Sequence, residues 1–285
     1  MQPTDPLPTL AIRSFQSEAQ PDSPFSFHEI RGRRLIEKPH KHDFFLFLLV
    51  EQGSGTHTID FTSYPTEAGQ LHLLFPEQVH QWDLNEDFLA WQLMIRREAF
   101  ETLDLPVIPY RRHPVFSLPA ETFSLLRTEL MAIREELRRR PLSPDILLLR
   151  CRLMARIVSR EAEQRFADLS VYRLTPVLLR YQALVDARFR QEKSVAFYAE
   201  QLHLTPNYLN ILCRRHLGAT ALSVIRNRVT LEASRLLQAT DHSVKEIAFT
   251  LGFDDPANFS HFFKNQTGAT PREFREQSGF VPKEE

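Results

Sequence analysis

The sequence has 285 residues, of which 42% are hydrophobic and 25% are charged, and its formal net charge is −1. These fractions are typical of a folded globular protein, so they exclude large-scale disorder, and the length allows two domains of ordinary size. No apolar run approaches the roughly 20 residues of a membrane-spanning helix, and the first residues lack the pattern of a signal peptide, so we expect a soluble, cytoplasmic protein without membrane partners.

The N-terminal part of the chain is predicted to be an arm followed by a small β-barrel. Residues 1–24 contain five prolines, which favours an arm over a core element. Residues 44–50 form an apolar run typical of a buried strand, whereas residues 56–61 alternate between polar and apolar types, as a half-buried strand does. Short strands about every ten residues favour a barrel or a sandwich over residues 25–118.

Three histidines and two tryptophans are the candidate ligand-binding residues of this barrel, namely His40, His42, His80, Trp82 and Trp91. One interpretation is that they form the polar lining of a pocket for an organic ligand, and another is that they are structural residues at the barrel end. We assign no metal and no cofactor. Because imidazole is a common ligand of zinc and iron, His40, His42 and His80 are the candidates if a metal is bound.

Residues 119–168 are predicted to form two helices. The first has an apolar stripe at heptad spacing through residues 123–137. The second, over about residues 145–165, has apolar side chains around more than one face, so we expect two of its sides to be buried. One side can face the barrel and the other a second subunit, which predicts a homodimer through residues 119–165; burial of both sides within one chain is the alternative.

Residues 170–280 contain a pattern that occurs twice, at an offset of 50 residues. One copy starts at Thr205-Pro206 and the other at Asp255-Pro256, and each ends in Gly-Ala-Thr. Thr and Asp are preferred N-cap residues, proline suits the first helical position, and glycine suits the residue after the end of a helix. Each copy is therefore predicted to be a helix of about three turns.

A second short helix is predicted before each copy, over residues 195–202 and 244–251. Two short helices joined by a tight turn, the second with a polar outer face, are typical of the helix-turn-helix motif. Residues 220–240 lack proline and glycine and predict one connecting helix roughly 30 Å long. Such a spacer would place two recognition helices about one DNA turn, roughly 34 Å, apart, so we predict an all-α domain that binds double-stranded DNA.

The candidate DNA-binding residues lie at the start and on the polar face of each predicted recognition helix. In the first unit they are Thr205, Pro206, Asn207, Asn210, Ile211, Arg214 and Arg215. In the second unit they are Pro256, Ala257, Asn258, His261 and Lys264. Asparagine can pair bidentately with adenine, arginine can bind guanine or a phosphate, and isoleucine can contact a thymine methyl group.

The second unit and its flanks resemble the C-terminal signature of the AraC/XylS-type transcription regulators. The matching residues are Val244, Glu246, Ile247, Ala248, Leu251, Gly252, Phe253, Asp255, Asn258, Phe259, Ser260, Phe263, Lys264, Gly268, Thr270, Pro271, Phe274 and Arg275. Three features depart from the family pattern. His261 stands where the family usually has arginine, Pro256-Ala257 offers few groups for reading bases, and His203 occupies the turn position that is glycine in the second copy.

The resemblance also implies that residues 25–118 form the cupin-like sensing barrel that many such regulators carry. The cupin metal site combines a His-x-His pair, a glutamate four or five residues later and a further histidine. His40, His42 and His80 match the histidines, but Leu46 and Phe47 stand where the carboxylate is expected. The missing carboxylate disfavours metal-dependent catalysis in this barrel.

The sequence therefore predicts an α+β protein with a cupin-like barrel, a helical dimerisation and linker segment over residues 119–168, and a double helix-turn-helix domain. The expected function is that of a sequence-specific DNA-binding transcription activator that responds to a small molecule and acts together with RNA polymerase. No enzymatic activity is expected. The alternatives are a metal-dependent cupin-type enzyme, a regulator whose barrel is purely structural, and a module that binds another protein.

Overall fold

The computed structural model of the protein describes residues 9–16, 23–101, 112–166, 169 and 175–277. Parts of the predicted arm and linker, and the predicted tail after residue 280, lie outside the described residues. The chain divides into two compact units, one comprising residues 9–169 and the other residues 170–285. Across the described part of the chain, no helix is both long enough and apolar enough to cross a membrane.

The N-terminal unit contains two five-stranded sheets. In spatial order, the first sheet consists of β1 (Thr9–Leu10), β3 (Arg34–His42), β8 (His80–Leu84), β5 (Ser54–Ile59) and β6 (Thr62–Glu67). The second consists of β10 (Val115–Ser117), β7 (Gln70–Leu74), β4 (Phe44–Gln52), β9 (Leu89–Arg96) and β2 (Phe25–Arg31). Neighbouring strands are antiparallel except for β1 and β3, which are parallel.

Strand β4 shows why its sequence is almost continuously apolar. Phe44, Leu46 and Leu48 belong to a core that also contains Ile59 and Leu84 of the first sheet, so this core lies between the two sheets. The intervening side chains of β4, on the opposite face of the second sheet, belong to a different core that includes the following helices. Because successive side chains of a strand point to opposite faces, a strand buried on both sides needs apolar residues at every position.

Three helices also belong to this unit: α1 (Arg97–Glu101), which lies between β9 and β10, and α2 (Ala120–Arg138) and α3 (Pro144–Arg165), which follow β10. The buried face of α3 includes Leu147, Cys151 and Met154, which pack in the same core as α2 and the second sheet. A different face of α3 leaves apolar side chains exposed: Ile146 at 41%, Leu149 at 63% and Leu153 at 48%. The wide apolar arc seen in the sequence thus corresponds to one face buried within the chain and one face that is exposed.

The start of the chain differs from the predicted arm. Thr9 and Leu10 pair with Lys41 and His42 of β3, and a short 3₁₀ helix follows over Ile12–Phe15. Ile12 is only 2% exposed because its side chain inserts into the core between the sheets. The prolines that suggested an arm lie outside this short apolar segment, and burial of its side chains holds it against the barrel.

The C-terminal unit consists of seven described helices. They are α4 (Pro176–Arg188), α5 (Val195–Gln201), α6 (Pro206–Leu217), α7 (Ala221–Ala239), α8 (Val244–Thr250), α9 (Pro256–Thr267) and α10 (Pro271–Gln277). Helix α7 confirms the predicted connecting helix, and its 19 residues span about 28 Å. At its start, the buried hydroxyl of Tyr181 in α4 donates a hydrogen bond to the carbonyl of Ala221 at 2.6 Å.

Candidate functional site

The first helix-turn-helix unit consists of α5 and α6, and its helix ends follow from the local sequence. The Ser194 hydroxyl accepts a hydrogen bond from the N–H of Ala196, and the Thr205 hydroxyl accepts one from the N–H of Tyr208. At the other end of α6, Gly218 has a φ of 64°, in the left-handed region that favours glycine. The predicted start and end of the first recognition helix are therefore confirmed.

The second unit consists of α8 and α9 and repeats the same local chemistry. Ser243 and Glu246 form the predicted capping box at the start of α8. At the start of α9, the Asp255 carboxylate accepts a hydrogen bond from the N–H of Ala257 at 2.9 Å. Gly268 ends α9 with a φ of 82°. The two recognition helices are thus built by the same rules, with different cap residues.

The outer faces of α6 and α9 carry most of the predicted DNA-binding side chains. The exposed ones are Thr205, Pro206, Asn207, Ile211, Arg214 and Arg215 in the first unit, and Ala257, Asn258, His261 and Lys264 in the second. Pro256 is half-buried. The opposite faces, with Leu209 and Cys213 in α6 and Phe259 and Phe263 in α9, are fully buried. Each recognition helix is therefore fixed by an apolar face and presents a polar face to solvent.

Two exposed residues on these faces were missed by the sequence prediction. Tyr208 in α6 is 48% exposed, and Asn265 in α9 is exposed beside His261, with their side-chain nitrogens 3.2 Å apart. The repeat itself contained the signal, because at the offset of 50 residues Tyr208 aligns with Asn258 and Asn265 aligns with Arg215. Asn258 and Arg215 are candidate DNA-binding residues. Tyr208 and Asn265, at the equivalent positions of the other copy, therefore belong to the same candidate nucleic-acid interface.

Asn210 makes a contact within the chain that the sequence did not predict. Its side-chain oxygen accepts a hydrogen bond from the backbone N–H of Ala221 at 3.2 Å, in the first turn of α7. In the second copy the equivalent of Ala221 is Pro271, which has no N–H, and the equivalent of Asn210 is Ser260. The side-chain oxygen of Asn210 thus satisfies a backbone donor at the start of α7, which gives this residue a structural role. Its base-reading role stays a prediction.

We expect Asn210→Ala to lower the free energy of unfolding by about 0.5–2 kcal/mol, because a buried helix-start N–H loses its partner. Thermal or urea unfolding of the full chain measures this change. Asn207→Ala is the matched control, since Asn207 lies one turn earlier on the exposed face of the same helix. Equal stability of the two variants would contradict the structural role of Asn210.

Helix α7, which connects the two helix-turn-helix units, is held by a cluster of buried charges around Glu232. Its carboxylate contacts Arg190 at 2.7 Å, Arg228 at 3.0 Å and Arg235 at 3.3 Å, and its side chain is 2% exposed. Burial disfavours the charged carboxylate, but the three guanidinium groups outweigh that effect and hold the pKa of Glu232 well below its ordinary value. This cluster fixes α7 to the segment that follows α4.

The three candidate histidines of the N-terminal unit do come together. His40 and His42 on β3 and His80 on β8 are all buried, and ring nitrogens of the three lie within 4.8 Å of one another. Two further buried histidines, His57 on β5 and His72 on β7, extend the group, and the sequence prediction missed them. Both lie at inward-facing strand positions. Pairing of β5 with β8 places His57 beside His80, and packing of the two sheets places His72 against His57.

Burial favours the neutral form of four histidines of this group. Burial lowers the pKa of His42 to about 3, with a further contribution from His40, and it lowers the pKa of His72 to about 3. The same cause, with repulsion among the neighbouring rings, holds the pKa of His57 and of His80 well below its ordinary value. Neutral imidazoles keep a free lone pair, which is the form that can accept a hydrogen bond or bind a metal.

The two tryptophans predicted to share a ligand pocket lie on different sides of the second sheet. Trp82 lies between the sheets, with ring centroids 5.4 Å from His80 and 5.3 Å from His57. Trp91 packs in the other core, stacks on Phe27 at 6.3 Å and donates a hydrogen bond to Glu51. The predicted grouping of Trp91 with the histidines is wrong, because its position on β9 faces the helices.

Comparisons with known proteins give matches in both the N-terminal unit and the C-terminal unit. A model of an AraC-like ligand binding domain matches residues 26–95, and a helix-turn-helix domain model matches residues 198–277. The transcriptional activator RhaS of Salmonella arizonae is 24% identical over 254 residues, covering 85% of this chain and 89% of the relative.

Among solved structures, the C-terminal domain of AraT from Geobacillus stearothermophilus is 26% identical, with a TM-score of 0.37, covering 40% of this chain and 94% of that one. ToxT from Vibrio cholerae is 13% identical, with a TM-score of 0.42, covering 90% of this chain and 99% of that one. The two family models, which cover the barrel and both recognition helices, confirm the resemblance seen in the sequence. The chain belongs to the AraC-type transcription regulators, with an AraC-like ligand-binding domain followed by a helix-turn-helix DNA-binding domain.

Proposed function

We propose that this protein is a cytoplasmic transcription activator, without enzymatic activity, that inserts α6 and α9 into successive major grooves of its DNA site. The observation that carries this proposal is the pair of capped helices in the same register, each with a buried apolar face and an exposed polar face. A connecting helix of about 28 Å between them suits half-sites about one helical turn apart. RNA polymerase is the further partner that an activator requires.

The two recognition helices offer different chemistry to DNA. In α6, Asn207 and Arg214 supply groups for adenine and guanine, and the exposed Ile211 suits a thymine methyl group. In α9, Asn258 and His261 supply fewer such groups, while Lys264 suits a phosphate. We therefore propose that the first unit carries most of the sequence specificity and the second contributes more to docking on the DNA backbone.

Selection of genomic DNA fragments by the purified full-length protein tests this function. We expect enrichment of one motif with two half-sites about ten base pairs apart. Arg214→Ala should weaken binding to that motif by about 1–3 kcal/mol and relax specificity at one base pair. Lys264→Ala should weaken binding to all DNA sequences alike. It should also reduce, by about one, the slope of the logarithm of the binding constant against the logarithm of the salt concentration.

The two substitutions are controls for each other because both residues are exposed cations at equivalent positions of the repeat. Equal loss on specific and nonspecific DNA for both variants would contradict the division of roles. The absence of DNA binding at any salt concentration would contradict the function itself.

The N-terminal unit is proposed to bind a small-molecule effector. A cleft of about 440 Å³ between β2 and α2 is lined by Phe15, Phe27, His28, Arg134 and Arg138, among others. Aromatic rings and guanidinium groups in one cleft suit an organic molecule with an acidic group. The interior between the sheets, by contrast, is filled by apolar side chains over much of its length.

We further propose that two copies associate through the exposed face of α3. Ile146, Leu149 and Leu153 are spaced at three and four residues, so they form one stripe along the helix, and all are more than 40% exposed. A single stripe of this kind can pack against the same stripe of a second copy around a two-fold axis. Burial of a leucine side chain contributes about 1.5–3 kcal/mol, so a few such residues can hold a dimer.

The double variant Leu149→Glu, Leu153→Glu should raise the dimer dissociation constant by more than about tenfold, as measured by analytical ultracentrifugation. Leu35→Glu is the control, since Leu35 on β3 is 49% exposed and lies away from α3. A wild-type protein that remains monomeric at high concentration would contradict this interface.

A further inference from the structure

The five buried histidines of the N-terminal unit form one connected group, here called the histidine cluster, which comprises His40, His42, His57, His72 and His80. Four different strands contribute to it, and all five side chains are no more than 7% exposed. Burial of so many polar rings is costly unless their nitrogens have partners. The arrangement of those partners defines what the cluster can bind.

The geometry at one end of the cluster suits a metal ion. Ring nitrogens of His40, His42 and His80 lie within 4.8 Å of one another, and the Nε2 atoms of His42 and His80 are 3.3 Å apart. Two nitrogens bound to one tetrahedral ion at about 2.05 Å are themselves about 3.3 Å apart. The separation of these two nitrogens thus corresponds to one edge of such a coordination site.

A chain of hydrogen bonds at the other end fixes the protonation of each ring. The Gln70 side-chain oxygen accepts the backbone N–H of Glu67 at 2.9 Å, so it is also the acceptor for Nε2–H of His72 at 3.1 Å. The Nδ1 atom of His72 is then an acceptor, so it receives Nδ1–H of His57 at 2.8 Å. Each neutral imidazole has one donor and one acceptor, so each assignment fixes the next.

The chain ends at His80. Because His57 donates from Nδ1, its Nε2 is an acceptor, and it receives Nδ1–H of His80 at 3.0 Å. His80 is therefore left with a lone pair on Nε2, the nitrogen that faces His42. A histidine that binds a metal usually donates its other ring N–H to an acceptor in this way, which fixes both the tautomer and the ring orientation.

We propose that His40, His42 and His80 bind a divalent transition-metal ion of the zinc, cobalt and nickel class, and that His57, His72 and Gln70 orient His80 for it. Three neutral nitrogens favour these ions over magnesium or calcium, which prefer oxygen ligands. Leu46 is fully buried and Phe47 nearly so, and neither offers a ligand atom. Among the described residues, no further His, Cys, Asp or Glu joins the three histidines in this group. This site goes beyond the DNA-binding function and does not depend on it.

The test uses the full-length protein, free of any polyhistidine tag and stripped by a chelator, and titrates it with Zn²⁺ in a calorimeter. We expect one ion per chain, and Co²⁺ should give the visible absorption of a tetrahedral site. His42→Gln and His80→Gln should weaken binding by more than about a hundredfold. His203→Gln is the control, since His203 is exposed in the other unit.

Two substitutions of His57 test the chain of hydrogen bonds that orients His80. Glutamine at position 57 places its terminal amide near the Nε2 position and can still accept the proton of His80, whereas the shorter asparagine reaches only the Nδ1 position. We therefore expect His57→Asn to weaken Zn²⁺ binding by about tenfold to a hundredfold and His57→Gln to weaken it less.

The absence of saturable Zn²⁺ or Co²⁺ binding by the wild-type protein would overturn the proposal and leave the cluster as a hydrogen-bonded structural core. Unchanged affinity in both His42→Gln and His80→Gln would overturn it as well. Where a variant does not fold, the wild-type stoichiometry and the Co²⁺ spectrum decide the matter. DNA binding is measured separately, so failure here and failure of the proposed function are distinguishable.

Discussion

Glu232→Gln is expected to lower the free energy of unfolding of the C-terminal unit by about 3–5 kcal/mol, because it removes the negative charge that the buried Arg235 and the partly buried Arg190 and Arg228 share. Arg228 keeps its ion pair with Asp186 at 2.7 Å. Three guanidinium groups converge on this carboxylate, and the side chain of Arg235 is only 1% exposed. A neutral amide of the same size keeps the packing but cannot balance these cations. The loss of unfolding free energy should exceed that caused by neutralising any exposed charged side chain in the C-terminal unit.

Hydrogen exchange resolved by segment measures this loss in residues 175–277. Tryptophan fluorescence is an internal control because it reports unfolding of the N-terminal unit, which the substitution should leave unchanged. Trp82 and Trp91 are the two tryptophans of the chain, and both lie in that unit. Glu200→Gln is the matched substitution at an exposed site of the same unit and should change stability by less than about 0.5 kcal/mol. Equal effects of the two substitutions would show that the cluster contributes nothing.

The same carboxylate gives a pH dependence with a definite sign. The folded pKa of Glu232 lies below the ordinary value of 4.5, so its stabilisation is fully present above that value and is lost as the pH falls below it. The difference in stability between the wild type and Glu232→Gln should therefore be constant near neutral pH and shrink in acid below about pH 4.5. A difference that grows in acid would contradict the role of the charge.

The sequence predicted well those features that depend on residues close together in the chain. The N-caps at Thr205 and Asp255, the glycines after α6 and α9, and the capping box at Ser243 each involve groups within a few residues of one another. Hydrogen-bond satisfaction at helix ends is a local requirement. Since this requirement recurs at a fixed offset of 50 residues, the amino-acid sequence alone identifies the duplicated unit.

Features that depend on distant residues were not predictable in the same way. Glu232 and Arg190 are 42 residues apart, and His42 and His80 are 38 residues apart, so only the fold brings each pair together. Trp91 shows a second limit: a strand buried on both faces gives no polar alternation that would tell which core a side chain enters. The contact of Asn210 with the start of α7 was not predictable either, because its partner Ala221 lies 11 residues further along the chain in the next helix.

The turn of the second unit contains a glycine that the structure makes indispensable. Gly252 has a φ of 73°, and a Cβ atom there would overlap the carbonyl oxygen of Arg190. The ammonium group of Lys193 donates hydrogen bonds to the carbonyls of both Arg190 and Gly252, at 3.0 Å and 3.1 Å. This contact ties the turn between α8 and α9 to the segment after α4.

The first unit provides a natural control for this position. His203 stands in the equivalent turn with a φ of 57°, so a left-handed conformation alone does not require glycine here. Its side chain is exposed, so this turn has room for a Cβ atom and the ring beyond it. What distinguishes Gly252 is therefore the adjacent carbonyl of Arg190, and not the turn geometry that both units share.

We expect Gly252→Ala to lower the free energy of unfolding by about 2–4 kcal/mol, because backbone strain and forced displacement of the Arg190 carbonyl add together. His203→Ala should change it by less than about 1 kcal/mol, since the residue there already has a Cβ. Because α9 follows this turn directly, Gly252→Ala should also weaken the DNA contacts of the second helix-turn-helix unit more than those of the first. Similar stability of the two variants would mean that the chain segment after α4 yields readily and does not hold the second unit in place.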